Sequence, residues 1–215
     1  MTNAPKILLL GPPASGKSTL FKNIKDLYPN IGHFAVRLFF EKEKKLNSNW
    51  HKRAVPDKDG WLPDHVVAEA AEMEIVKKIK DGFIVEGFPA SKNQAILFQN
   101  ILDKHQIVMN GIIYLTADKD ISIARSKQRL VCLTCDNGVN HVEPISREKL
   151  VCPICDSSLT SRIDDSEEGF NKRLKLHHER IMDIFSILDI PKIEISGELP
   201  KKEVLARAIK FIGLK

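Results

Sequence analysis

The sequence predicts an α/β fold in which a parallel sheet is flanked by helices. Three observations predict it. Short apolar runs alternate with stretches of helical apolar spacing. The first run leads directly into Gly11-Pro-Pro-Ala-Ser-Gly16-Lys17-Ser18, a phosphate-loop spacing that requires a strand before it and a helix after it. Two Cys-x-x-Cys pairs sit together in a segment that lacks helical periodicity, which marks a small inserted unit stapled by metal.

The elements follow in order. Residues 6–10 are a continuous apolar run bounded by Gly-Pro-Pro, as expected of a buried parallel strand. From Lys17 to Tyr28, Leu20, Ile24, Leu27 and Tyr28 recur at helical spacing. Residues 30–61 hold both tryptophans and Phe34, Phe39 and Phe40 among many lysines, and read as one short helix and a loop. Asp64 is placed to cap a helix that runs to about Asp81 and ends at Gly82. Phe83–Val85 is a second strand. Ser91 opens a helix carrying Ile96, Leu97, Ile101 and Leu102, and Gly111–Leu115 is a third strand. Residues 118–129 read as helix, and 126–164 as the cysteine insertion. A long helix carries Phe170, Leu174, Ile181, Ile184, Phe185 and Leu188, then a short strand at 193–195 and a closing helix at 201–212.

A chain of 215 residues can bury one substantial core. The net charge of +5 suits anionic ligands such as nucleotides, and equally a solvated lysine surface. The basic residues are scattered, which argues against a nucleic-acid stripe without removing it from consideration. The apolar start at Ile7–Leu10 is too short for a signal peptide or a membrane span, and no other stretch is long enough. The expected setting is therefore soluble and cytoplasmic.

Each part of the phosphate loop has a physical task. Glycines allow a tight turn that points several amides inward at an anion. The helix that follows offers its positive end. Lys17 supplies a mobile charge for β- and γ-phosphates, and Ser18 or Thr19 an oxygen for magnesium or phosphate. Gly11, Ala14, Ser15, Gly16, Lys17, Ser18 and Thr19 are the candidate donor-nucleotide contacts.

Cys132-x2-Cys135 and Cys152-x2-Cys155 are separated by sixteen residues, 136–151, a four-thiolate zinc spacing. Four protein ligands leave no open position, so the metal is expected to be structural, supplying folding energy that a short insertion lacks. A disulfide pair or an iron site are the other readings, and His141 lies close enough in sequence to replace one cysteine.

Taken together, these segments resemble the adenylate kinase family, in the bacterial form with a zinc-bearing lid. The resemblance rests on Gly11–Thr19, Gly60-Trp-Leu-Pro-Asp64, Gly82-Phe-Ile-Val-Glu-Gly-Phe-Pro89 with Gln94, Arg125 and Arg129 before the cysteines, and Arg162-Ile-Asp164-Asp165 with Arg173 after them. It covers nearly the whole chain. It implies a P-loop core at 1–30, 63–125 and 165–215, a small helical acceptor-binding lobe at 31–62, and a zinc-ribbon-like lid at 126–164. It implies ATP as donor, catalytic Mg²⁺, structural Zn²⁺, a nucleoside monophosphate as acceptor with AMP the first choice, and a monomer. By position, Lys17 grips the donor phosphates, and Arg129, Arg162 and Arg173 surround the moving phosphoryl group. Arg125 packs on the donor base, Glu86 stands near the magnesium shell, and Asp164 and Asp165 orient the lid and its arginines. Arg37, Gly87 and Gln94 match acceptor contacts.

The acceptor side departs from the family pattern. Ala90 occupies the place of an arginine that holds the acceptor phosphate, and Lys92 is the nearest replacement cation. Gly32-His33-Phe34 replaces a Thr-Gly-Asp stretch, Ala14 replaces a loop glycine, and Ser18 restores the ordinary P-loop residue. Each residue also has a plainer reading. Arg129 and Arg173 would be solvated helix charges, Asp164 and Asp165 a helix cap, and Ser91 with Gln94 a capping box. Phe39, Phe40 and Trp61 would fill the small lobe, and His177 and His178 would be surface or partly buried residues. Two other functions stay open: an ATP-binding regulatory or nucleic-acid-associated protein, and an ATPase without an external acceptor.

Overall fold

The computed structural model describes residues 4–135, 141–146, 148–162 and 166–213. Its core is a five-stranded parallel sheet in the order β2-β3-β1-β4-β7, made by β1 (Lys6–Leu10), β2 (Gly32–Ala35), β3 (Phe83–Glu86), β4 (Gly111–Thr116) and β7 (Lys192–Ser196). The apolar run of β1 is buried on both faces because successive side chains alternate. Leu8 and Leu10 join one core with Val85, Ile112, Phe98 and Ile184, beneath α4 (Asp64–Lys78), α5 (Lys92–Lys104) and α7 (Glu167–Ile187). Ile7 and Leu9 join the other with Leu20, Ile24 and Val204, beneath α1 (Lys17–Leu27) and α8 (Lys201–Phe211). The predicted strands at 6–10, 83–85, 111–115 and 193–195 and the flanking helices are all present.

Residues 30–61 differ from the reading of one helix and a loop. They begin with strand β2, followed by two helices, α2 (Val36–Lys45) and α3 (Asn49–Arg53). The strand lacks an apolar run because His33 lies on one face, stacked on Phe21 at 3.6 Å between ring centroids. Phe34 fills the opposite face and is buried. Pairing with β3 in parallel register, Phe34 beside Val85, makes this edge a strand that its own residues do not announce.

The start of α4 also differs. Asp64 is its first residue rather than its cap, Pro63 holding the cap position, and the Asp64 carboxylate reaches across to α5. The insertion follows α6 (Lys119–Lys127) and contains an antiparallel pair, β5 (Leu130–Cys132) and β6 (Leu159–Ser161), closing on a small core of Cys132, Cys152 and Leu159.

Candidate active site

Most of the described candidate residues gather at the C-terminal ends of the parallel strands, where open α/β sheets form their crevices. The cleft there has a volume of about 1460 Å³. The loop after β1 forms its floor. Gly11 lies where a side chain would strike the Leu115 carbonyl, and Gly16 is left-handed, with φ 102°. Helix α1 therefore starts without a side-chain cap or an acidic residue in its first turn, and its amides are left to an anion. Ala14 also adopts a left-handed backbone, φ 62°. That is a backbone conformation glycine adopts more readily than alanine.

Lys17 folds back over this loop, its Nζ donating to the carbonyls of Gly11 and Pro12, each at 2.8 Å. The residue is half-buried, but its ammonium is enclosed. Desolvation lowers it to about 8, Glu86 opposing the drop and Arg129 and Arg173 adding to it. An entering phosphate would replace the carbonyl partners with a full negative charge and reverse that shift.

Glu86, at the end of β3, has Ser18 Oγ 3.5 Å from Oε1 and His33 Nε2 3.5 Å from Oε2. Burial pushes its carboxyl up, yet it is held below the ordinary glutamate value by His33, Lys17 and Ser18. At 3.5 Å the His33 contact is electrostatic rather than a formed hydrogen bond. His33 is the partner that sequence reasoning missed, because β2 itself was not legible.

The lid side and α7 bring Arg129, Arg162 and Arg173 to the same cleft. Arg173 sits over the Phe170 ring at 5.7 Å. Arg125 lines the cleft as well. Its guanidinium donates to the carbonyl of Gly197 at 2.9 Å, with a longer contact to that of Ala14 at 3.5 Å, so it braces the phosphate loop. Gly197 has no room for a side chain, since a Cβ would collide with the Ser15 carbonyl. Asp164 and Asp165 lie outside the described residues.

On the acceptor side, Arg37, Gly87, Ala90 and Gln94 line the cleft. Lys92 is not among these lining residues and is exposed at the start of α5. Phe39 and Phe40 pack edge-on, with Trp50 against Phe39, as small-lobe filling predicts. Trp61 does not join them. It lines the cleft beneath the Arg180 guanidinium, 4.4 Å from its ring, while neighbouring Asp59 pairs with Lys172 at 2.8 Å. His177 also lines the cleft, and burial, with Lys17 and His178 nearby, lowers it to about 3. It is a neutral group, bonded at 3.3 Å to the Tyr114 hydroxyl. The i, i+4, i+7 spacing of Arg173, His177 and Arg180 on one helix face was the available signal for both residues.

The four cysteines converge as predicted. Their sulfurs all lie within 4.8 Å of one another, with three pairs at 3.5 Å. A tetrahedral ion with bonds of about 2.3 Å separates its sulfurs by roughly 3.8 Å, so the donor set fits one metal ion. His141 lies outside this set and pairs with Glu143 at 3.7 Å.

A phosphate loop, an enclosed lysine and three arginines on one cleft define a P-loop phosphotransferase. The chain matches the adenylate kinase family model over residues 9–189. It is similar to the adenylate kinase of Listeria monocytogenes, 28% identical over 215 residues, covering 97% of this chain and 99% of that protein. It is also similar to that of Thermotoga neapolitana, 27% identical over 214 residues and covering 96% of each. The chain belongs to the adenylate kinase family, and its activity is nucleotide phosphoryl transfer. Among the described residues, no helix is long and apolar enough to cross a membrane.

Proposed function

We propose that the protein transfers the γ-phosphate of ATP to AMP. One observation carries the reading: Lys17, Arg129, Arg162 and Arg173 converge on one cleft whose opposite wall holds Arg37, Gly87 and Gln94. Phosphoryl transfer needs positioning and charge neutralisation more than covalent help. Guanidinium groups match the oxygens of the moving phosphoryl group, and a closed cleft keeps water from competing. Lys17 serves the donor phosphates, the three arginines the transferring group, and Asp164 and Asp165 the orientation of the lid.

Ser18 and Glu86 are the groups for magnesium. Cis ligands of an octahedral ion lie roughly 3 Å apart, so their oxygens, at 3.5 Å, need little adjustment. The bound ion would offset phosphate charge. Zinc is the metal for the four thiolates, and it stiffens the lid so that it moves as a unit. We divide the chain into the sheet-based core, which takes strand β2 from the expected acceptor segment 31–62, a small acceptor lobe made by the rest of that segment, and the lid at 126–164. Thiols held as metal ligands suit a reducing compartment, which supports a cytoplasmic setting. A monomer with small-molecule nucleotide partners completes the reading.

Ala90 favours one alternative, a different monophosphate acceptor. Both readings are tested by ADP formation from ATP and Mg²⁺, using zinc-loaded protein and a panel of AMP, GMP, CMP, UMP and dTMP. The expected result is the fastest turnover with AMP. Faster turnover with another monophosphate moves the assignment to it, and ADP formation no faster than with ATP alone sinks the kinase reading.

A further inference from the structure

Gln94 is buried, with 3% of its surface exposed, yet it lines the acceptor side of the cleft. Both ends of its amide are fixed. Nε2 donates to Asp64 Oδ1 at 2.7 Å, and Oε1 accepts from the Ala90 backbone N–H at 2.8 Å. The two partners are chemically one-sided. A carboxylate only accepts, and a backbone N–H only donates. The amide therefore has one orientation, and the usual ambiguity between its oxygen and nitrogen is removed by its neighbours rather than by choice. Asp64 is itself held in place, its Oδ2 accepting from Asn93 Nδ2 at 2.6 Å. The main chain of Gln94 is fixed as well, through its N–H to Ser91 Oγ at 3.2 Å.

An amide carries two N–H donors and two oxygen lone pairs. One of each is used here, so one donor and one acceptor remain. We infer that Asp64 is a positioning residue that fixes the polarity of the Gln94 amide, so that the cleft receives a donor–acceptor pair suited to a 6-aminopurine edge and opposed to a 6-oxopurine edge. The 6-aminopurine edge offers an N–H to Oε1 and a ring nitrogen to Nε2. The 6-oxopurine edge, with a carbonyl and a ring N–H, has the reverse polarity. Discrimination of this kind is large because a mismatched site leaves buried polar groups facing like groups. This inference rests on the reading of the acceptor as AMP. It also gives the Ala90 N–H a role that is independent of that residue's side chain.

The test compares Asp64→Ala with Asp64→Asn in the full-length, zinc-loaded protein. Both variants lose the first-turn negative charge of α4, so any general effect on that helix is shared. Only Asp64→Asn retains an oxygen that can accept from Gln94 Nε2, once the exposed Asn93 amide turns. Equilibrium binding of AMP and IMP, ATP binding and steady-state turnover are measured on each. The expected result is a wild-type preference for AMP over IMP that falls at least about tenfold in Asp64→Ala and is largely kept in Asp64→Asn. ATP binding should be unchanged in both. A wild type without AMP-over-IMP preference, or an Asp64→Ala variant that loses affinity for both equally or not at all, overturns the inference. A preference that collapses as expected in a protein that does not turn AMP over upholds this inference and refutes only the kinase reading.

Discussion

The two walls of the cleft are built from different materials. The donor wall is founded on main chain, with the carbonyls of Gly11 and Pro12 under Lys17 and those of Ala14 and Gly197 under Arg125, and Arg129, Arg162 and Arg173 face the same cleft. The acceptor wall is side chains drawn from β2, α2, the loop before α4 and the start of α5. Main-chain sites survive substitution if the backbone conformation survives, as Ala14 shows at φ 62°. Side-chain sites do not, and the acceptor wall is where Ala90 presents a methyl group at the place where the resemblance leads one to expect an arginine. The difference teaches that one half of an active site can drift while the other keeps its shape.

The strongest break of this comparison is Lys17→Met. It removes the ammonium that the donor wall holds directly over the loop after β1, and kcat should fall on the order of 10²–10³-fold in an ADP-formation assay. The same lysine gives the wild type a pH signature. Its ammonium is the binding form and is lowered to about 8, so ATP affinity should decline as pH rises through that value. A flat affinity profile from pH 7 to 9.5 would remove Lys17 from the phosphate site.

The acceptor wall is sharpened by adding rather than removing a group. Ala90→Arg restores a guanidinium where the chain has a methyl group, and KM for AMP should drop roughly tenfold with little change in KM for ATP. An unchanged KM would mean that another group already holds the acceptor phosphate. The smallest effect is expected at Ala14→Gly, which relieves a left-handed alanine. It should stabilise the protein by about 0.5–1 kcal/mol, read as a rise in thermal midpoint, with activity unaltered.

The same contrast explains how much was legible in the sequence. The strands at 6–10 and 83–85, the phosphate loop and the cysteine pairs are contiguous signals, and each predicts its own geometry. Strand β2 is not, because it is short and carries His33 against Phe21 on one face. The capping-box reading of Ser91 and Gln94 captured the Ser91 half. The Gln94 side chain passes to Ala90 N–H and Asp64 instead, a partnership spanning thirty residues that no local pattern encodes. Trp61 was read as core, yet it leaves the other aromatics for Arg180, because a helix distant in sequence passes over it. Contacts between remote segments are where pattern reading ends.

The brace made by Arg125 has a bearing on how this chain tolerates change. It is carried on α6, the helix from which the lid departs, and it grips only peptide oxygens. Every amino acid supplies such an oxygen. The hold of Arg125 on Gly197, after β7, and on Ala14, in the phosphate loop, therefore uses no side chain at either landing point. Gly197 is constrained by the crowding at Ser15, and not by the bond it accepts. Substitution at Ala14 leaves the peptide oxygen for this contact wherever the backbone keeps its course, whereas loss of the Arg125 guanidinium removes both contacts at once.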